Sequence, residues 1–184
     1  MPLYERLLKL GEDVVLYHEL VNADTIKEYD PGFVVVYNYR YIIGEDVIDL
    51  MGDRIINLHT SFLPWNKGSS PNIWSFIEDT PKGVTIHRLE KGLDKGVIIL
   101  QKELFFDEEK ETLSSTYTRL NDEIVGLLCD NWDDIKDCKI PYKIQDGKGT
   151  YHRTADLDEL LDGREIDYSM TIKEFREFIA DRVH

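Results

Sequence analysis

Cysteine is scarce in this chain, and positive charge is in deficit. Of 184 residues only Cys129 and Cys138 are cysteines; their spacing fits no metal-ligand pattern and suggests no disulfide framework. No apolar run approaches the ~20 residues of a membrane span, and no signal-peptide pattern opens the chain. The expectation is therefore a cytoplasmic protein with no membrane partner and no metal. Lysine and arginine total 22 against 36 aspartates and glutamates, a net charge of −14. A phosphate-tracking surface requires a basic face, so nucleic acid is not an expected partner. The acid gathers late, as in DLDELLDGREID from Asp156. An anionic substrate would need a local basic patch, for which Arg40, Lys67, Lys82, Arg88, Lys95 and Arg153 are the residues near motif positions.

What is present is ordinary globular material: 42% hydrophobic and 32% charged residues, enough for one domain with a sizeable core and a short appendage. Leu3, Leu7, Leu8 and Leu10 recur at helical spacing until Gly11. Val14-Val15-Leu16-Tyr17 reads as a short buried strand. Asn22 could cap a helix through Tyr29, which Asp30-Pro31-Gly32 ends. Phe33 to Tyr37 is a β-branched run expected to be covered on both faces. A helix from Gly44 to about Leu50 and a strand from Arg54 to Leu58 follow. This alternation argues for a parallel sheet with helices on both sides.

Farther on, Ser70-Pro71 should open a helix through Phe76. Gly83 to Arg88 and Val97 to Phe106 read as strands. Thr112 to about Trp132 should form a long amphipathic helix with Leu113, Tyr117, Leu120, Ile124, Leu127 and Leu128 on one side. Thr171-x-x-Glu174 is a capping box before a final helix bearing Ile172, Phe175, Phe178 and Ile179. The apolar face of either of these two helices could make a homodimer interface or pack into the core.

The chemistry-bearing stretch lies between Ile55 and Gly96. Asn57 and His59, two apart on a strand, point to the same face. Such a pair offers an amide donor to a developing oxyanion and an imidazole to move a proton. Asp94 sits in the turn Gly92-Leu93-Asp94-Lys95-Gly96, where flanking glycines let backbone pass close to a ligand; a carboxylate there could orient the imidazole. No activated Ser or Cys accompanies them, which favours direct transfer between two bound substrates over a covalent intermediate. On spacing only, Asn-x-His serves structure more often than catalysis. A metal on His59, His87 and Asp94 lacks a tight ligand pair to support it. His87, alternating with apolar residues, reads as a packed or surface histidine, and Trp65 and Trp74 as core or pocket wall.

Three ordered motifs then carry a resemblance. Asn57-Leu58-His59-Thr60-Ser61-Phe62-Leu63-Pro64 resembles the N-[IL]-H-x-S-x-L-P motif of the folate-dependent formyltransferases. Gly83-Val84-Thr85-Ile86-His87 and Gly92-Leu93-Asp94-Lys95-Gly96 match that family's G-V-T-x and G-x-D-x-G elements. Residues 64–68, 71–76 and 78–83, with Tyr37 to Ile43 and Gly149 to Arg153, are most similar to the short branch that formylates amino groups of nucleotide-linked sugars. Other branches act on glycinamide ribonucleotide or methionyl-tRNA. The resemblance covers roughly residues 12–156.

It implies a Rossmann-like α/β formyltransferase fold, a mostly parallel sheet flanked by helices, without the usual first strand because the chain begins near the first helix. It implies N10-formyltetrahydrofolate as formyl donor, a nucleotide-linked amino sugar as acceptor, and a catalytic trio carried over as Asn57, His59 and Asp94. Asn38, Tyr39, Arg40, Tyr41, Ile42, Ile43 and Leu93 would border the folate. Trp65, Asn66, Lys67, Pro71 and Asn72 would meet the sugar substrate. Residues 1–137 would form the catalytic domain and 138–184 a C-terminal extension with a terminal helix. Thr60 stands where Pro or Ile is commoner, Lys67 where Arg is, and Lys95 where Thr is. A folate- or nucleotide-binding module without catalysis is the remaining possibility.

Overall fold

In the computed structural model, which describes residues 2–182, helices and strands mix throughout. Helix α1 (Leu3–Lys9) ends before Gly11, whose φ of +89° suits a residue without a Cβ. Helix α2 (Ala23–Tyr29) starts at Asn22, whose side chain accepts from the amides of Asp24 and Thr25; Asp30 closes it in a left-handed conformation. Strand β1 (Val34–Tyr37), helix α3 (Glu45–Met51) and strand β2 (Ile55–His59) follow. Next come the two-residue strand β3 (Lys67–Gly68), helix α4 (Pro71–Ile77), and strands β4 (Lys82–Arg88) and β5 (Ile98–Leu104). Helices α5 (Leu113–Asp130) and α6 (Trp132–Lys136), strand β6 (Tyr151–His152), and helices α7 (Thr154–Leu161) and α8 (Ile172–Ile179) complete the chain.

Four strands form one sheet in the order β1-β2-β4-β5, and β3 and β6 form a second. β1 and β2 are parallel, Val34 beside Ile55 and Tyr37 beside Leu58. The helix–strand alternation stops there. Gly83 faces the Lys102 carbonyl while the Arg88 amide bonds Val97 O, so β4 and β5 meet in reverse order. The sheet is therefore mixed.

The chain divides into two compact units. The first comprises Met1–His59, Ile86–Leu100 and Ile124–Ile144. One of its clusters is Ile43, Val47, Met51 and Ile55, with Val34, Val36, Tyr39 and Leu89 against it. The second comprises Thr60–Thr85, Gln101–Glu123 and Gln145–His184. Its core is Ile73, Trp74, Phe76, Leu113, Leu157, Ile172, Phe175 and Ile179. The final helix thus spends its apolar face on this core, and its Thr171–Glu174 capping box forms as expected.

Three expectations need correction. Val14 to Tyr17 is not a buried strand: it is in no strand of the structure, and Val15 and Leu16 are about 60% exposed. β-branched residues favour a pleated surface only where a neighbouring strand supplies one, and among the described residues none pairs with this run. Strand β1 is half-buried at every position rather than covered on both faces, because it ends the sheet order, with β2 as its one neighbour among the described residues. Tyr117 is 47% exposed, and Thr116 is the buried residue at that turn of α5. The stripe runs Leu113, Thr116, Leu120, Ile124, Leu128, which keeps a strict three-or-four spacing.

Candidate active site

The geometry starts at the end of β2. Asn57 and His59 lie two residues apart there, His59 buried and Asn57 half-buried. The turn after β4 brings Asp94 to both. His59 Nδ1 is 3.8 Å from Asp94 Oδ2, and Asn57 Nδ2 donates to Asp94 Oδ1 at 3.3 Å. Asn57 and Asp94, 37 positions apart in sequence, thus join His59 in one cluster within one compact unit. With His59 and Asp94 each under 10% exposed, water screens them poorly, and a charge developing nearby would feel them strongly.

The turn holds Asp94 in place by close packing. Its φ of +50° is left-handed, a region that Asp tolerates better than most residues. Gly96 passes so near the Arg88 carbonyl oxygen that any Cβ there would collide with it. The strand ends are tied as well: Leu89 N–H donates to Ile55 O, and the Arg88 guanidinium pairs with Asp53 at 2.8 Å.

His87, which its sequence neighbours mark as packed or surface, has a larger part. It is almost fully buried, and it belongs to the cluster: its Nε2 is 3.2 Å from Asn57 Nδ2 and 3.4 Å from Asp94 Oδ1. The G-V-T-x-His element carries the signal, but only the sheet order shows that this strand adjoins the one bearing Asn57.

The remaining site candidates fall in two groups. The segment Asn38 to Ile43 and Leu93 share the first unit with the trio. Within it, Tyr39 donates its hydroxyl to Glu19 O and accepts from the Val21 amide, and Ile43 is buried in the core cluster. Arg40 lies over the Tyr41 ring, Asn38 takes a left-handed backbone, and Ile42 and Leu93 are exposed. Trp65, Asn66, Lys67, Pro71 and Asn72 belong to the second unit. There Asn66 is fully buried, donating to Glu78 and Thr150 and accepting from Thr80. Asn72 donates to Leu113 O and Thr116. The Asn66 amide and the Asn72 nitrogen are committed to internal bonds, whereas Trp65, Lys67 and Pro71 are half-exposed.

Residues 16–130 match the family model described as formyl transferase. The chain belongs to the formyl transferase family. Among relatives, it is 34% identical over 131 residues to a methionyl-tRNA formyltransferase of Ehrlichia ruminantium, covering 70% of this chain and 42% of that one. It is 31% identical over 138 residues to the dTDP-4-amino-4,6-dideoxyglucose formyltransferase of Mycobacterium bovis, covering 75% and 57%. The chain thus spans about half the length of these curated relatives. Among solved structures, the formyltransferase PseJ of Anoxybacillus kamchatkensis is 38% identical with a TM-score of 0.86, covering 94% of this chain and 90% of that one. That protein was solved with UDP-4,6-dideoxy-4-formamido-L-AltNAc and tetrahydrofolate. The α/β fold of this family member is therefore the one its motifs imply.

Proposed function

We propose that this chain transfers a formyl group directly from N10-formyltetrahydrofolate to the amine of a nucleotide-linked amino sugar. The observation that carries the reading is the meeting of Asn57, His59 and Asp94 in one cluster shielded from water. The similarity to PseJ along nearly the whole chain supports a nucleotide-linked sugar as acceptor.

In this reading the acceptor nitrogen attacks the formyl carbon and a C–N bond forms. An N–H of Asn57 and protonated His59 stabilise the tetrahedral oxyanion, and Asp94 holds the imidazolium. The intermediate collapses by breaking the bond to folate N10. The attacking amine loses one proton and N10 gains one, carried by His59 or by a water on Asp94. Asn38 to Ile43, largely through backbone groups, and Leu93 take the folate. Trp65, Lys67 and Pro71 meet the sugar nucleotide, with buried Asn66 and Asn72 fixing the loop and helix that present them. Residues 1–137 carry the chemistry, and 138–184 extend them.

Identity to methionyl-tRNA formyltransferases favours a second acceptor, charged tRNA. The net charge of −14 opposes it, because tRNA binding needs a basic face that neutralises phosphates and releases their counterions. The test is release of tetrahydrofolate from N10-formyltetrahydrofolate in the presence of UDP- and dTDP-linked amino sugars, glycinamide ribonucleotide or methionyl-tRNA. Turnover with an amino-sugar nucleotide, abolished by His59→Ala, is expected. Turnover with methionyl-tRNA alone would replace the acceptor; a fully active His59→Ala protein would overturn the site.

A further inference from the structure

His87 makes one bond that fixes the rest. Its Nδ1 lies 2.8 Å from the carbonyl oxygen of Arg88. A carbonyl can only accept, so Nδ1 carries the hydrogen, and in the neutral ring Nε2 is left with its lone pair. That lone pair faces Asn57 Nδ2 at 3.2 Å, while Asp94 Oδ1 faces the same nitrogen at 3.3 Å. Two acceptors converge on an amide nitrogen with two hydrogens.

The opposite orientation of Asn57 fails. It would set the amide oxygen against both the carboxylate oxygen and the imidazole lone pair. A doubly protonated His87 would turn its Nε2–H to Asp94 Oδ1, 3.4 Å away, and leave one Asn57 hydrogen with no acceptor in the cluster. Only with neutral His87 are both Asn57 hydrogens taken, one by His87 Nε2 and the other by Asp94 Oδ1.

We propose that His87 is a positioning residue for formyl transfer: its neutral imidazole holds the Asn57 amide with nitrogen, not oxygen, turned to the site. The inference rests on the formyl-transfer reading above. One Asn57 hydrogen stays on His87 throughout, and the other leaves Asp94 for the formyl oxygen as that oxygen gains charge. Without the His87 acceptor the amide is held by Asp94 alone, and that hold is lost when the hydrogen on Asp94 passes to the formyl oxygen. Loss of one oxyanion donor costs about 10²–10³ in kcat, so partial loss of its orientation should cost about tenfold to a hundredfold.

The test compares His87→Leu, His87→Gln, Asn57→Ala and the double variant His87→Leu/Asn57→Ala in the formyl-transfer assay. His87→Leu should lower kcat by about tenfold to a hundredfold and leave both KM values within about twofold. His87→Gln, which restores an acceptor oxygen near the former Nε2, should recover most of that loss. In the double variant, removing His87 should cost nothing beyond Asn57→Ala, because its effect passes through Asn57. Losses that multiply, or a His87→Leu protein with wild-type kcat, overturn the inference. An Asn57→Ala protein with wild-type turnover sinks the site reading instead, which separates the two failures. Nitrogen-15 spectra of the wild-type imidazoles test the same point without turnover. A His87 ring protonated at Nδ1 alone is expected, and a proton on Nε2 overturns the proposal.

Discussion

At Gly96 a methyl group has nowhere to go, since its Cβ would meet the backbone oxygen of Arg88 rather than a side chain able to swing away. That same oxygen accepts the His87 imidazole, and the turn it borders carries Asp94. Gly96→Ala should therefore cost stability, about 1–3 kcal/mol for forced overpacking. It should also depress formyl transfer more than its stability loss explains, by moving Arg88 O or Asp94. Thermal melts with kcat measured well below the melting temperature separate the two effects. Retention of both would show that the turn relaxes without disturbing the cluster.

Among elements, the end of α1 and helix α6 are joined by one carboxylate. Glu12 accepts from Trp132 Nε1 and from Lys136 Nζ, each at 2.7 Å. The Lys136 ammonium first, then the Trp132 N–H, hold the Glu12 carboxyl below its ordinary 4.5. The same contacts, Glu12 foremost and Asp133 after it, push Lys136 up. A depressed carboxyl stabilises the fold above its unfolded pKa, and that contribution fades as pH falls through the folded value. The melting temperature of the wild type should exceed that of Glu12→Gln near neutral pH. The gap should close as pH falls through the lowered pKa of the Glu12 carboxyl, below which both forms are uncharged at this position. A gap that persists unchanged in acid would show that the charge on Glu12 is not what joins these elements.

For the molecule as a whole, the late part of the chain is structural material for the second unit. Ile172, Phe175 and Ile179 of α8 and Leu157 of α7 pack with Trp74, Phe76 and Leu113. Strand β6 bonds β3 in parallel register, Lys67 beside Tyr151 and Gly68 beside His152. His152 then stacks flat on Trp74, ring centroids 3.8 Å apart, and sits 3.1 Å from Glu78. Phe175→Ala should cost about 3–5 kcal/mol, the range for emptying a fully buried aromatic site. Urea unfolding reads this directly, and a loss under about 1 kcal/mol would mean that α8 is packed less tightly than its burial indicates.

Signals that act over a few residues are legible in the sequence. The Asn22 cap, the Gly11 stop, Pro71 at the first turn of α4 and the Thr171–Glu174 box each depend on near neighbours in the chain, so the sequence alone determined them. The motifs determined the family, and the alternation of Asn57 with His59 placed them on one face. Tertiary structure decided what depends on a distant neighbour. Val14 to Tyr17 has strand-forming residues but, among the described residues, no partner strand, and the two-residue strands β3 and β6 exist only because chain segments 84 positions apart are adjacent. His87 reads as filler in sequence because its role depends on lying beside Asn57, an adjacency set by sheet order. Periodicity records which face a side chain takes; only packing decides what that face meets.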